Sequence, residues 1–168
     1  MISISIQDIL GATADILVVS ANPSLLAGSG ISGVIHKAAG PQLEAEAKPF
    51  APLTPGQAII TPAFNLSAKY VIHTVCPRYM DGRRGESEQL YNAYASALAL
   101  HSKAPDAKSI AFVSMGTGVY KWPMALAADI AVKALLTSTF DQTLMCVMDE
   151  ATQVYYQKSL RAICEPKI

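Results

Sequence analysis

Two glycine-containing stretches hold the residue types from which an anion site can be built. Gly28-Ser29-Gly30-Ile31-Ser32-Gly33 satisfies G-x-G-x-x-G, a spacing in which small residues let backbone N–H groups approach a diphosphate at a helix N-terminus. Ser114-Met115-Gly116-Thr117-Gly118-Val119-Tyr120 also follows an apolar run and leads into a helical pattern. Two such loops at the carboxyl ends of neighbouring strands can grip a diphosphate from both sides. Backbone donors and helix dipoles then do the work, so the chemistry needs no metal and few basic side chains. A tight turn with positive φ is the plain structural alternative for either loop. The nicotinamide oxidoreductase implied by the literal G-x-G-x-x-G match fails two tests of context. The glycines begin several residues after the strand, and Leu53-Thr54 stand about 20 residues beyond Gly33, where an acidic ribose ligand belongs. It is retained only as a remote alternative. No G-K-[ST] closes a Walker loop.

The elements that must position these loops are those of one domain. At 168 residues the chain has room for about one unit of roughly 150, so residues 1–168 are read as a single domain. With 51% apolar and 15% charged residues it can bury a sizeable core. Thirteen Lys plus Arg balance thirteen Asp plus Glu, which leaves no positive excess for generic nucleic-acid or membrane-surface binding. Cys76, Cys146 and Cys164 form no C-x-x-C pair and, with His36, His73 and His101, make no zinc spacing. The expected setting is therefore cytoplasmic, without disulfide, metal or cofactor, and no basic leader or long apolar span argues otherwise.

Ile2, Ile4 and Ile6 alternate with polar residues, as in a strand near a sheet edge, whereas Ile16 to Val19 form the continuous run of a strand buried on both faces. Further strands are expected at Gln57 to Pro62, Tyr70 to Val75, Ser109 to Ser114 and Thr143 to Met148. Helical patterns fall at Val34 to Ala39, Gln42 to Lys48, Ser87 to before Pro105, and on the stripes of Met124 to Leu135 and Tyr156 to Ile163, the last capped by Asp149. His101, at a helix end, reads as structural. Pro49, Pro52 and Pro55 read as a crossing loop rather than a polyproline ligand. This alternation argues for an α/β fold with helices on both sheet faces and a ligand outside the carboxyl ends of the strands.

The segment Asp15 to Gly40, DILVVSANPSLLAGSGISGVIHKAAG, resembles the signature of macrodomains. Gln7 to Ile9, Pro55 to Tyr79 and Ser114 to Pro123 match in register, so the resemblance spans nearly the whole chain. It implies a three-layer α/β/α sandwich with a mixed central sheet and a cleft for ADP-ribose or its derivatives, free, acetylated or linked to macromolecules. It also implies that Asp8 accepts from the adenine amine beside the Ile9 backbone, and that Ser29, Gly30, Ile31 and Ser32 line the first phosphate loop. Ser114, Gly116, Thr117, Gly118, Val119 and Tyr120 line the second, with the Tyr120 ring beside the distal ribose, and Asn22 offers its amide to a hydroxyl there.

The departures from the family pattern concern catalysis and affinity. Ser32 stands where hydrolytic macrodomains carry an aspartate that positions or activates water, and an uncharged hydroxyl is a poor general base. Ser20 replaces a usual asparagine, Gly116 a common serine, and Met148 an aromatic that stacks on adenine. Two readings stay open: a module that binds ADP-ribose, and a hydrolase acting on ADP-ribosylated protein or O-acetyl-ADP-ribose, with Asn22 and Ser32 as its candidate catalytic residues.

Overall fold

The computed structural model describes residues 1–28, 30–116 and 120–164. Six strands, β1 (Ile2–Ile6), β2 (Ile16–Ser20), β3 (Ala58–Pro62), β4 (Tyr70–Thr74), β5 (Ser109–Val113) and β6 (Gln142–Val147), form one sheet in the order β1-β6-β5-β2-β4-β3. All neighbours are parallel except β3 with β4, so the sheet is mixed. The helices are α1 (Gly30–Ala39), α2 (Gln42–Ala47), α3 (Glu86–Ala99), α4 (Met124–Leu135) and α5 (Glu150–Cys164).

The apolar run of β2 explains the layering. Side chains alternate across a strand, so Ile16 and Val18 enter a core shared with α3, α4 and α5, through Tyr94, Ala131 and Tyr156 among others. Leu17 and Val19 enter the opposite core, with Ile35 and Ala39 of α1 and Leu43 of α2. A central strand therefore needs apolar residues at every position. Edge strand β1 needs only alternate ones: Ile2 and Ile4 pack on the first core while Ser3 is exposed.

Expected and observed elements agree closely, and one difference matters for the site. The first helix begins at Gly30, four positions before the expected Val34. The glycines that weaken helix propensity sit in its first turn, where packing against the sheet and the need for open backbone donors override propensity. The final helix is capped as expected, with Asp149 Oδ1 accepting from the Thr152 amide at 2.8 Å. His101 is structural too. It stacks on Phe140 with ring centroids 3.7 Å apart, its Nε2 donates to the Ala107 carbonyl at 2.9 Å, and its Nδ1 lies 2.7 Å from the Thr139 hydroxyl.

Candidate ADP-ribose cleft

Strands β2 and β5 are parallel neighbours, yet the helices that follow them go to opposite faces: α1 packs in the core of Leu17 and Val19, α4 in that of Ile16 and Val18. Loops leaving such a topological switch point diverge and leave a crevice at the carboxyl edge of the sheet. The candidate residues line that edge in strand order. Asp8 and Ile9 follow β1, Met148 follows β6, Ser114 and Gly116 follow β5, and Asn22 follows β2. Ser29, Thr117, Gly118 and Val119 lie outside the described residues.

At the β1 end, Asp8 is exposed and its Oδ1 accepts from the Leu10 amide at 3.0 Å, capping a 3-10 turn over Ile9–Gly11. Ile9 is buried and anchors the turn. Met148 is 77% exposed, a thioether free to cover an apolar ring face.

The first glycine loop closes on itself. Asn22 Nδ2 donates to the Leu26 carbonyl at 2.8 Å, while its Oδ1 accepts from the Ser24 hydroxyl at 2.7 Å and the Leu26 amide at 3.2 Å. The Asn22 amide expected to meet a hydroxyl thus also shapes the loop. A Cβ on Gly33 would lie 2.0 Å from the Gly28 carbonyl oxygen, so only glycine lets the loop close on the first turn of α1. Gly30 and half-buried Ile31 open that turn, where backbone N–H groups lack intrahelical acceptors. Ser32 is in the same turn but only 7% exposed.

The second loop is held from below by groups the sequence did not single out. The Tyr94 hydroxyl accepts from the Met115 amide at 2.9 Å, and the Tyr156 hydroxyl lies 2.8 Å from Ser114 Oγ and 3.5 Å from Tyr94 Oη. Ser114 therefore serves the loop's anchorage. Both tyrosines are fully buried, and burial raises both phenol pKa values. In the sequence Tyr94 falls within the helical pattern after Ser87 and Tyr156 opens the last apolar stripe; the signal available is the hydroxyl, which needs a partner when buried. Gly116 has φ +87°, and a Cβ there would meet the Trp122 ring at 2.5 Å.

A strap over residues 77–85, without regular secondary structure, flanks this loop. The Tyr79 amide donates to the Tyr120 carbonyl at 3.1 Å, and Trp122 Nε1 donates to the Pro77 carbonyl at 2.9 Å. The rings of Tyr79 and Trp122 lie 5.2 Å apart, and the Arg78 guanidinium sits 5.4 Å above the Tyr120 ring. Glu86, 3% exposed at the start of α3, folds back under the strap. Its carboxylate accepts from the amides of Met80, Asp81, Gly82 and Arg84, the last at 2.8 Å. These bonds, that from Met80 foremost, lower its pKa from 4.5 to about 2 against the opposing effect of burial.

Two buried histidines, His36 and His73, lie beside the first loop. His73 is 1% exposed, and burial, then the neighbouring His36, depress its pKa to about 3. Its Nε2 lies 3.0 Å from Thr61 Oγ1. His36 stands 6.1 Å from His73 between ring centroids, and burial lowers its pKa as well. Among the described residues no group of three or more His, Cys, Asp or Glu could hold a metal ion, and no helix is long and apolar enough to cross a membrane.

A mixed sheet between two helix layers, with loops leaving neighbouring parallel strands at a switch point, defines a three-layer α/β/α class. The Macro domain family model matches residues 18–131, and the chain belongs to the macrodomain family. It is 41% identical over 162 residues to a macro domain-containing protein of Lactiplantibacillus plantarum, covering 93% of this chain and 94% of that one. It is 42% identical to the O-acetyl-ADP-ribose deacetylase of Klebsiella pneumoniae, covering 91% and 92%. Among solved structures, a mutant of the Oceanobacillus iheyensis macrodomain with ADPR superposes with a TM-score of 0.88 at 33% identity, covering 97% and 93%. The Trypanosoma brucei macrodomain in complex with ADP-ribose does so at 0.81 and 30%, covering 94% and 68%.

Proposed function

We propose that this protein binds ADP-ribose, free or attached to a macromolecule, along the carboxyl edge of the sheet. The observation that carries the reading is the switch point at the parallel neighbours β2 and β5, whose following helices pack on opposite faces of the sheet and whose second loop is anchored by Tyr94 and Tyr156. In this pose the diphosphate lies against the backbone donors of Gly30, Ile31 and Ser32 and the second loop. Adenine reaches Asp8, the Ile9 backbone and Met148, and the distal ribose reaches Asn22 and Tyr120. The relatives bound to ADP-ribose support the same ligand. The proposed setting is cytoplasmic, which three free thiols suit.

Calorimetry on the whole chain tests this. The expected result is one ADP-ribose per chain, unaffected by a chelator, with micromolar affinity corresponding to about −8 kcal/mol. No heat and no thermal shift at millimolar ADP-ribose would overturn the reading.

Hydrolysis is the second reading, favoured by the 42% identity to O-acetyl-ADP-ribose deacetylases. Ser32 is nearly buried in the first turn of α1 and supplies a hydroxyl where a charged base would act. Turnover is therefore expected to be slow, with Asn22 and a substrate phosphate assisting in orienting water.

A further inference from the structure

We propose that Glu86 is a positioning residue for the distal-ribose end of the cleft, holding the 77–85 strap in the shape that presents Tyr120 and so setting a preference for ADP-ribose over ADP. The inference rests on the reading that the cleft takes ADP-ribose with its distal ribose beside Tyr120.

The geometry has three linked parts. First, the strap has no sheet or helix of its own to order it, and an irregular segment leaves its amides in need of acceptors. Glu86 supplies them: one nearly buried carboxylate takes four amides from the five residues Met80 to Arg84. A carboxylate so buried is costly unless fully hydrogen-bonded, and here the strap amides do that. Carboxylate and strap order each other.

Second, the strap is tied to the second glycine loop. The Tyr79 amide meets the Tyr120 carbonyl, and the Pro77 carbonyl meets the Trp122 indole N–H. Trp122 in turn donates its backbone amide to the Gly116 carbonyl at 3.0 Å and lies against Gly116 itself. Third, Arg78 rides on the face of the Tyr120 ring, a cation–π contact that restricts that ring. Glu86 touches none of the proposed ligand atoms. Its influence passes through the strap to the half-buried Tyr120 ring, while the adenine pocket at Asp8 lies at the other end of the sheet.

The test is Glu86→Gln in the full chain, with ADP and ADP-ribose titrated separately by calorimetry. The amide keeps size and fold-back but offers one oxygen where the carboxylate has two, and sets N–H donors against strap N–H donors. The expected result is an ADP-ribose Kd raised about tenfold with ADP changed less than about twofold, and a red shift in the emission of Trp122, the single tryptophan. Equal losses for both ligands, or no loss for either, would overturn the assignment. A wild-type chain that binds neither ligand would instead overturn the underlying reading of the cleft, before any variant is compared. Should Glu86→Gln not fold, amide hydrogen exchange on the wild type decides. Protection of Met80, Asp81, Gly82 and Arg84 amides, together with an ADP-ribose-selective loss in Arg78→Ala, supports the proposal; exchange at free-peptide rates overturns it.

Discussion

A carboxylate with one oxygen committed still has another to give. Asp8 uses Oδ1 to cap the turn at Ile9–Gly11, which fixes the direction in which its remaining oxygen can meet an exocyclic amine. Asp8→Ala is expected to weaken ADP-ribose by about 1.5 to 3 kcal/mol, as for a hydrogen bond to a charged group, while the inosine counterpart hardly changes; parallel calorimetry on both ligands checks this. Ser32 is the second residue whose chemistry is decided locally. Its hydroxyl is nearly buried beside the amides that open α1, so a carboxylate there would sit close to a bound diphosphate and to the positive end of the helix. Ser32→Asp is expected to raise O-acetyl-ADP-ribose hydrolysis about 10²- to 10⁴-fold, the range for a positioned acid or base, and to weaken ADP-ribose at the same time. A variant that binds but gains no turnover would show that more than this carboxylate separates the site from an efficient hydrolase.

At the scale of elements, the second loop and its strap are fixed by contacts more than by turn propensity. Gly116→Ala places a methyl against the Trp122 ring in a left-handed backbone conformation. It should cost about 1 to 3 kcal/mol of stability and displace the loop, read as a lower urea midpoint and a weaker ADP-ribose titration. Glu86 adds a pH signature to the same region. Its folded-state pKa is depressed from 4.5 to about 2, so its contribution is fully present above 4.5 and is lost as pH falls through that interval. The stability difference between wild type and Glu86→Gln should therefore shrink between pH 4.5 and 2, as denaturant titrations at several pH values would reveal. Most of these elements were legible because their periods are strong: the β2 run and the stripes of α3 and α4 each specify what must be buried. The start of α1 was not, since Gly30 and Gly33 oppose helix formation locally, and they are explained only by the left-handed backbone at Gly30 and the close approach of the Gly28 carbonyl to Gly33. Tyr94, Tyr156, Trp122 and Glu86 were illegible as parts of the site because the partners that give them meaning, the Met115 amide, Ser114, Gly116 and the strap amides, are distant in sequence and meet only through the fold.

For the whole molecule, the sheet joins the site to global stability. His73, on β4 beneath α1, titrates at about 3 when folded against an ordinary 6.5, because burial penalises its charged form. The unfolded chain therefore takes up the proton first, so stability present at neutral pH declines as pH falls from 6.5 towards 3. Urea midpoints measured at pH 7.5, 6 and 5 should fall in that order, and the slope should flatten in His73→Gln. Order of synthesis bears on the same sheet. Among the described strands β1 pairs only with β6, Ile2 lying opposite Thr143. A ribosome delivers β6 on the order of ten seconds after β1, at roughly 5–20 residues per second. Throughout that interval the nascent chain holds β1 without its strand partner, while β2, α1 and the first glycine loop have already been synthesised. In the proposed pose the purine end is thus the last to gain its strand support, and a chain truncated before Gln142 is expected to lack that support beneath Asp8.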